Sequence, residues 1–201
     1  AAASLRLRTR TCRDHCGSAK GSRGRSDLMG ILETSRLRGE RPEAGDIEDI
    51  VCLLRNPRVA ATLGGLRSRA QIRHTLERFR AAWKVEGYGP WMFRSTENGA
   101  FVGYGGLIET RALSLEGIEL LYALLPEYWG QGMATELAAA CIEEGFREHH
   151  LAEIIAFTTN TNIASRRVME KSGFFYERDF EYVGLPHVLY RLRDSEWRAP
   201  A

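Results

Sequence analysis

Pro126-Glu127-Tyr128-Trp129-Gly130-Gln131-Gly132-Met133-Ala134-Thr135-Glu136 stands between two patterned runs. Ahead of it, Ile118 to Leu125 is apolar and strand-like; behind it, Gln131 to His150 is amphipathic at helical spacing. Strand, glycine turn and helix, in that order, leave the first N–H groups of the helix without intrahelical partners. The helix dipole adds partial positive charge at the same place. Gly130 and Gly132 have no Cβ, so an anion can approach the backbone closely. The segment Trp129 to Ala134 therefore reads as a cradle for a pyrophosphate.

Other glycine loops fit less well. A nucleoside-triphosphate loop ends in Gly-Lys-Ser/Thr, a tripeptide the sequence does not contain. A dinucleotide fingerprint wants a third small residue where Thr135 stands and opens a repeated βαβ series. Here the glycines follow several strand-like runs. An isolated Gly-x-Gly also suits a plain tight turn, and it is the second half of the chain that weighs against this.

The 201 residues suit one domain with a real core, and 44% hydrophobic with 27% charged content is ordinary for a soluble protein. The net charge of +2 is unevenly placed. Residues 1–28 hold seven Lys/Arg against Asp14 and Asp27, a net of +5, which leaves −3 for the rest. The body lacks the basic stripe of a nucleic-acid binder, and no apolar run spans a bilayer. Cys52 and Cys141 sit in apolar helical patterns and read as reduced core residues. Cys12 and Cys16, with His15 between them, lack a second ligand pair, which argues against zinc; no metal site is predicted. A reducing cytosol is the default compartment.

Residues 1–28, rich in Arg, Ser, Gly and Ala, read as a disordered or non-native basic extension, with an organellar leader as the alternative. The domain then runs from Met29 to Arg198. Ile31 to Arg38 reads as the first strand. Asp46 reads as the N-cap of a helix carrying Ile47, Ile50, Val51 and Leu54, which Asn56-Pro57 ends. Ser68 caps a second helix with Ile72, Leu76, Phe79 and Trp83. Glu97-Asn98-Gly99 joins two strand-like runs as a hairpin, and the second run continues through Gly105 to Ile108. Leu113 to Glu116 turns into the strand before the glycine loop. Ile154 to Thr158 reads as a buried strand parallel to that one. Asn162 to Ser172 is a short helix closed by Gly173. A hairpin of Phe175–Glu181 and His187–Leu192 around Gly184-Leu185-Pro186 ends the domain. Antiparallel strands feeding a helix and a parallel strand make this a mixed α/β (α+β) sheet.

The segments Glu119–Glu136 and Asn162–Phe174 resemble the GNAT (Gcn5-related) N-acetyltransferases, and within them the RimJ/RimL-like branch. Glu-Leu-Leu-Tyr-Ala-Leu-Leu-Pro-Glu-Tyr-Trp-Gly-Gln-Gly-Met-Ala-Thr-Glu matches that branch's strand–loop–helix. Asn162-x-x-Ser165-x-x-Val168-x-Glu170-Lys171-x-Gly173-Phe174 matches its second motif. The resemblance runs from about Leu32 to Trp197. It implies a central, mostly antiparallel twisted sheet flanked by helices, with one parallel strand pair splayed around the cofactor. It also implies acetyl-CoA as acyl donor and an amine-bearing acceptor, in a monomer or homodimer.

By the same resemblance, Gly130, Gln131, Gly132, Met133, Ala134 and Thr135 hold the pyrophosphate. Tyr122, Ala123 and Leu124 pair with the pantetheine arm, and Asn162 contacts it. Glu119 matches the family's general base, with Glu109 a weaker alternative. Two positions depart from the pattern: Glu127 replaces the usual Gln or Arg, and Met169 replaces the tyrosine that protonates the leaving thiolate. In this branch the serine at Ser165 takes over that role. Tyr176 and His187, with Tyr182 and Tyr190, are placed near the acceptor, against the plain reading of cross-strand packing. The expected activity is transfer of acetyl to a primary amine by direct attack, α-amines ahead of lysine side chains, with Glu119→Gln slowing the reaction most at low pH. The alternative is a non-catalytic acyl-CoA sensor.

Overall fold

The structure is a computed structural model that describes residues 30–112 and 115–198. The expectations for residues 1–28, for a start at Met29, for Cys12, His15 and Cys16, and for the turn at Leu113 lie outside the described residues. Eight strands form one sheet in the order β1-β2-β3-β4-β5-β6-β8-β7. They are β1 (Ile31–Glu33), β2 (Leu37–Glu40), β3 (Pro90–Ser95), β4 (Phe101–Ala112), β5 (Leu115–Leu124), β6 (Glu153–Thr159), β7 (Phe175–Tyr182) and β8 (Leu185–Arg193). Every neighbouring pair is antiparallel except β5 and β6, which are parallel. That parallel step needs a crossover, and helix α4 (Met133–Arg147) supplies it.

Side chains alternate across β5, so one strand serves two cores. Leu120 and Leu124 pack with Leu137, Cys141 and Phe146 of α4. Ala123 packs on the opposite face with α1 (Ile47–Leu54), α2 (Pro57–Thr62) and α3 (Arg69–Val85), through Ile50, Val59, Ile72 and Phe79. Helix α4 lies close to the sheet because β4 presents a glycine, Gly105, beneath Leu137. A Cβ at Gly105 would stand 2.3 Å from Leu137 Cδ2. Helix α5 (Ile163–Lys171) follows β6 and buries Met169.

Several local readings change. Ile31 to Arg38 is not one strand: the chain reverses at Thr34–Arg36, and β1 pairs with β2. The turn closes through Thr34 N–H donating to Leu37 O at 2.9 Å and Leu37 N–H to Thr34 Oγ1 at 3.0 Å. Asn56-Pro57 ends α1 but also starts α2, since Asn56 Oδ1 accepts from Arg58 N–H and proline suits the first helical turn. Asp46 stands at the N-cap of α1 without capping it. Its carboxylate instead accepts from Glu43 N–H at 2.7 Å and pairs with Arg94. Ser68 caps α3 as expected, in a reciprocal box with Gln71. The last hairpin turns on Val183-Gly184 alone, leaving Leu185 and Pro186 inside β8. Cys141 is a free, buried thiol, whereas Cys52 is half-buried and disulfide-bonded, not reduced.

Candidate active site

The parallel pair is a fork. β5 and β6 register at Glu119 and Ile155, and past that point β5 runs on to Leu124 without β6 as a partner. A cleft of ≈ 760 Å³ fills the opening, lined on one side by Glu119 to Leu124 and on the other by Phe157, Thr158 and Thr159. The glycine loop and the first turn of α4 line it too, as do α5 and the tip of the β7–β8 hairpin. The backbone of β5 therefore borders open space where a sheet strand normally meets a neighbour.

At one end lies the cradle. Gly130 and Gly132 have φ 75° and 79°, a left-handed conformation that other residues adopt only with strain. A Cβ at Gly130 would meet nothing within 4 Å, so its hydrogen faces vacant space. Gly132 is the N-cap of α4 and has no side chain to cap it, so the first-turn N–H groups stay available. Gly130, Gly132, Ala134 and Thr135 line the cleft. Gln131 and Met133 do not. The Gln131 amide donates to Glu127 O at 2.6 Å, and Met133 packs on the core. The Glu127 side chain is exposed and outside the cleft lining.

The cradle is clasped from outside. Glu136, in the first turn of α4, accepts hydrogen bonds from Thr34 Oγ1 at 2.6 Å, Ser35 Oγ at 3.0 Å, Arg36 N at 2.9 Å and Arg36 Nε at 2.7 Å. Arg36 Nη1 also donates to Gln131 O at 2.9 Å. Burial works to raise the Glu136 carboxyl, but these bonds outweigh it and hold the group below its ordinary value.

Glu119 sits at the closed end of the fork. Its Oε2 accepts from Thr110 Oγ1 of β4 at 2.9 Å. Protein surrounds the carboxylate except where it opens on the cleft, and this burial pushes its pKa up to about 7 against the Thr110 bond and the charge of Arg78. Glu109, one position out of phase on β4, is exposed and paired with Arg111 at 2.7 Å, away from the cleft.

On the facing wall, Asn162 caps α5 by accepting from Ser165 N–H at 3.2 Å and donates through Nδ2 to Thr158 Oγ1 at 3.1 Å. It thus keeps its capping role while lining the cleft. Ser165 Oγ lies 2.9 Å from the Tyr122 hydroxyl, which also donates to Ser165 O at 3.1 Å. Burial raises the Tyr122 phenol to about 12, opposed by the Ser165 bond. Met169 forms buried floor.

The hairpin residues separate. His187 is buried, lines the cleft, and packs edge-on against Phe157 and Tyr182. Tyr182 lines it as well. Tyr176 is 53% exposed on the outer strand β7 and stacks edge-on with Tyr190, so it is not a cleft residue. Tyr190 is buried and donates to Glu170 Oε1 at 2.9 Å. Sequence reasoning missed the Thr34–Arg36 clasp, the Tyr122 hydroxyl, and Arg67 and Arg78 in the cleft lining.

The model of the acetyltransferase (GNAT) domain matches residues 36–175. An uncharacterised Bacillus subtilis protein, YkkB, is 29% identical over 81% of this chain and 95% of its own. An Aspergillus fumigatus FsC-acetyl coenzyme A-N(2)-transacetylase is 32% identical over 58% of this chain and 54% of its own. Among solved structures, the ribosomal-protein-S5-alanine acetyltransferase from Vibrio fischeri superposes with a TM-score of 0.69 at 18% identity, over 84% of this chain and 98% of that one.

Proposed function

The chain belongs to the GNAT acetyltransferase family, and from that premise we propose that it moves acetyl from acetyl-CoA to a primary amine by direct attack, favouring α-amines. The residues fit the donor. Gly130, Gly132 and the uncapped start of α4 suit a pyrophosphate, and the unpartnered edge of β5 from Leu120 to Leu124 suits an amide-bearing arm. Asn162 would hold the same arm. Acetyl-CoA supplies the acetyl group as an activated thioester.

The observation that carries the reading is the single carboxylate of Glu119 where the fork closes, among the described residues that line the cleft. A group with a pKa of about 7 is half ionised at neutrality, and it can take a proton from an amine directly or through one water. Ser165 Oγ on the opposite wall lies within hydrogen-bond distance of Tyr122 Oη, reaching across from β5, and a hydroxyl there can stabilise developing negative charge. A thiolate from a thiol of pKa about 8.5 needs no stronger acid near pH 7.

The amine must attack unprotonated. A lysine side chain, with pKa about 10.4, is roughly three and a half pH units from neutrality at pH 7, a deficit of about 4.6 kcal/mol. An α-amine, near 7.7–8.0, is within about one unit and matches a base of pKa about 7. The test is thiol release with two peptides that each contain one lysine, one with a free and one with a blocked N-terminus. The free peptide is expected to react faster; faster reaction of the blocked peptide overturns the α-amine preference.

A further inference from the structure

Charge in the cleft is lopsided. Arg67, Arg78, Arg167 and Lys171 line it against Glu119 as the one carboxylate among the described lining residues. Arg167 and Lys171 stand on α5, on the wall that carries Asn162 and Ser165. Arg67 and Arg78 do not. Arg78 is on α3, Arg67 just before its cap, and α3 packs on the face of the sheet opposite α4. Glu119 lies within electrostatic reach of Arg78, and the Tyr104 hydroxyl within reach of both arginines. Among the described residues neither arginine forms an ion pair, although Arg67 Nη2 donates to Leu63 O at 3.3 Å.

Two guanidinium groups without ion pairs among the described residues, Arg78 within electrostatic reach of Glu119 and Arg67 in the same cleft lining, are a problem for an enzyme whose acceptor arrives largely as an ammonium ion. They repel it, and they repel a diamine or polyamine more. The arrangement becomes favourable when the acceptor brings its own anion. Around the arginines the cleft mouth is apolar. Leu66 is 67% exposed, Val183 81% and Leu185 38%, and all three line the cleft. The two rims meet: a Cβ on Gly64 would stand 3.4 Å from Leu185 Cδ1. Val183 holds φ 51°, a conformation that strains a β-branched residue, at the tip of the hairpin.

Building on the amine-transferase reading above, we propose that the acceptor is a primary amine that also carries a carboxylate, bound by Arg78 and Arg67, and an apolar group set against Leu66, Val183 and Leu185. The carboxylate chemistry is common to a free apolar amino acid and to the C-terminus of a very short peptide. A matched series separates the two: leucine, Ala-Leu and Ala-Ala-Leu, each with a free carboxylate or as the C-terminal amide, plus putrescine. The readout is kcat/KM from thiol release on the full chain.

A charge-assisted contact predicts that at least one carboxylate member exceeds its own amide by about tenfold or more. Which member does so identifies the source. In Arg78→Ala and Arg67→Ala, and most in the double variant, that ratio falls toward one, and putrescine improves relative to the carboxylates. Equal rates for every carboxylate and amide pair overturn the inference and leave the transferase reading intact, as does a carboxylate preference that survives the double variant. Acetyl-CoA binding without turnover on any amine overturns both.

Discussion

Glu119→Gln removes one ionisation and leaves the side chain's shape, and the new amide can still accept the Thr110 hydrogen bond through its carbonyl. In the native protein burial moves this carboxyl from 4.5 to about 7. A group raised on folding favours the folded state while it is protonated, so its stability contribution is fully present below about pH 4.5. That contribution is lost as pH rises through about 7. At about 1.4 kcal/mol per pH unit the gap corresponds to about 3 kcal/mol at pH 8, an upper figure because the carboxylate keeps one side on the cleft. The variant is therefore expected to match the native protein near pH 4.5 and to be more stable by up to about 3 kcal/mol at pH 8, read by denaturant titration at each pH.

Catalysis moves the other way. With a pKa of about 7, Glu119 is about one-tenth ionised at pH 6 and about nine-tenths at pH 8. The ratio of kcat/KM in the native protein to that in the Glu119→Gln variant should rise about tenfold across that range, and titration of the acceptor amine cancels from the ratio. A carboxylate of ordinary pKa would be fully ionised across that range and leave the ratio flat; burial makes the deficit grow toward high pH, opposite to the expectation of a deficit largest at low pH. A ratio that is flat with pH, or a variant whose stability gain over the native protein is no larger at pH 8 than at pH 4.5, would refute the reasoning.

Gly130→Ala puts a methyl group into the space above the cradle; it should lower stability by about 1–2 kcal/mol through its φ of 75° and weaken acetyl-CoA binding at least about tenfold in calorimetry. Gly99→Ala, at φ 71° with equally open space in the β3–β4 turn, is the control, expected to lose similar stability with no change in affinity. Ser165→Ala leaves the Tyr122 hydroxyl its bond to Ser165 O, so Ser165→Ala and Tyr122→Phe together should lower kcat by less than the product of the single effects. Strict multiplication of the two effects would mean that the hydroxyls act separately.

The main architecture was legible because its signals are local. The apolar run to Leu125, the two glycines and the stripe of α4 are contiguous, and Gly130 and Gly132 hold the conformations their turn demands. The parallel β5–β6 pair followed from the crossover, and Asn162 at the head of α5 is both cap and cleft wall. What escaped depends on distant partners. The reversal at Thr34–Arg36, closed locally between Thr34 and Leu37, is tied to Glu136, 102 residues away from Thr34, and no pattern within Ile31–Arg38 records that tie. The separation of Tyr176 from His187 depends on the β7–β8 register and on the bulge between Tyr176 and Arg178. The ionisation of Glu119 depends on Thr110 across the sheet and on α3 above it.

The clasp explains how the cradle tolerates an acidic residue in its own helix turn. A free carboxylate at Glu136 would complement the α4 dipole and so compete with a bound phosphate for the same positive end. Here all of its strong acceptor capacity is turned outward, to Thr34, Ser35 and Arg36. The Arg36 guanidinium neutralises it, and Nη2 reaches to 3.6 Å from where a Gly132 Cβ would stand. The same guanidinium holds Gln131 O, the carbonyl between the two glycines, so loop and helix start are fixed by one side chain. A loop built on two left-handed glycines has high conformational entropy when unfolded, and an external tie is the physical means of pre-ordering it. The β1–β2 turn, the segment whose own residues say least about it, is therefore the support on which the proposed cradle rests.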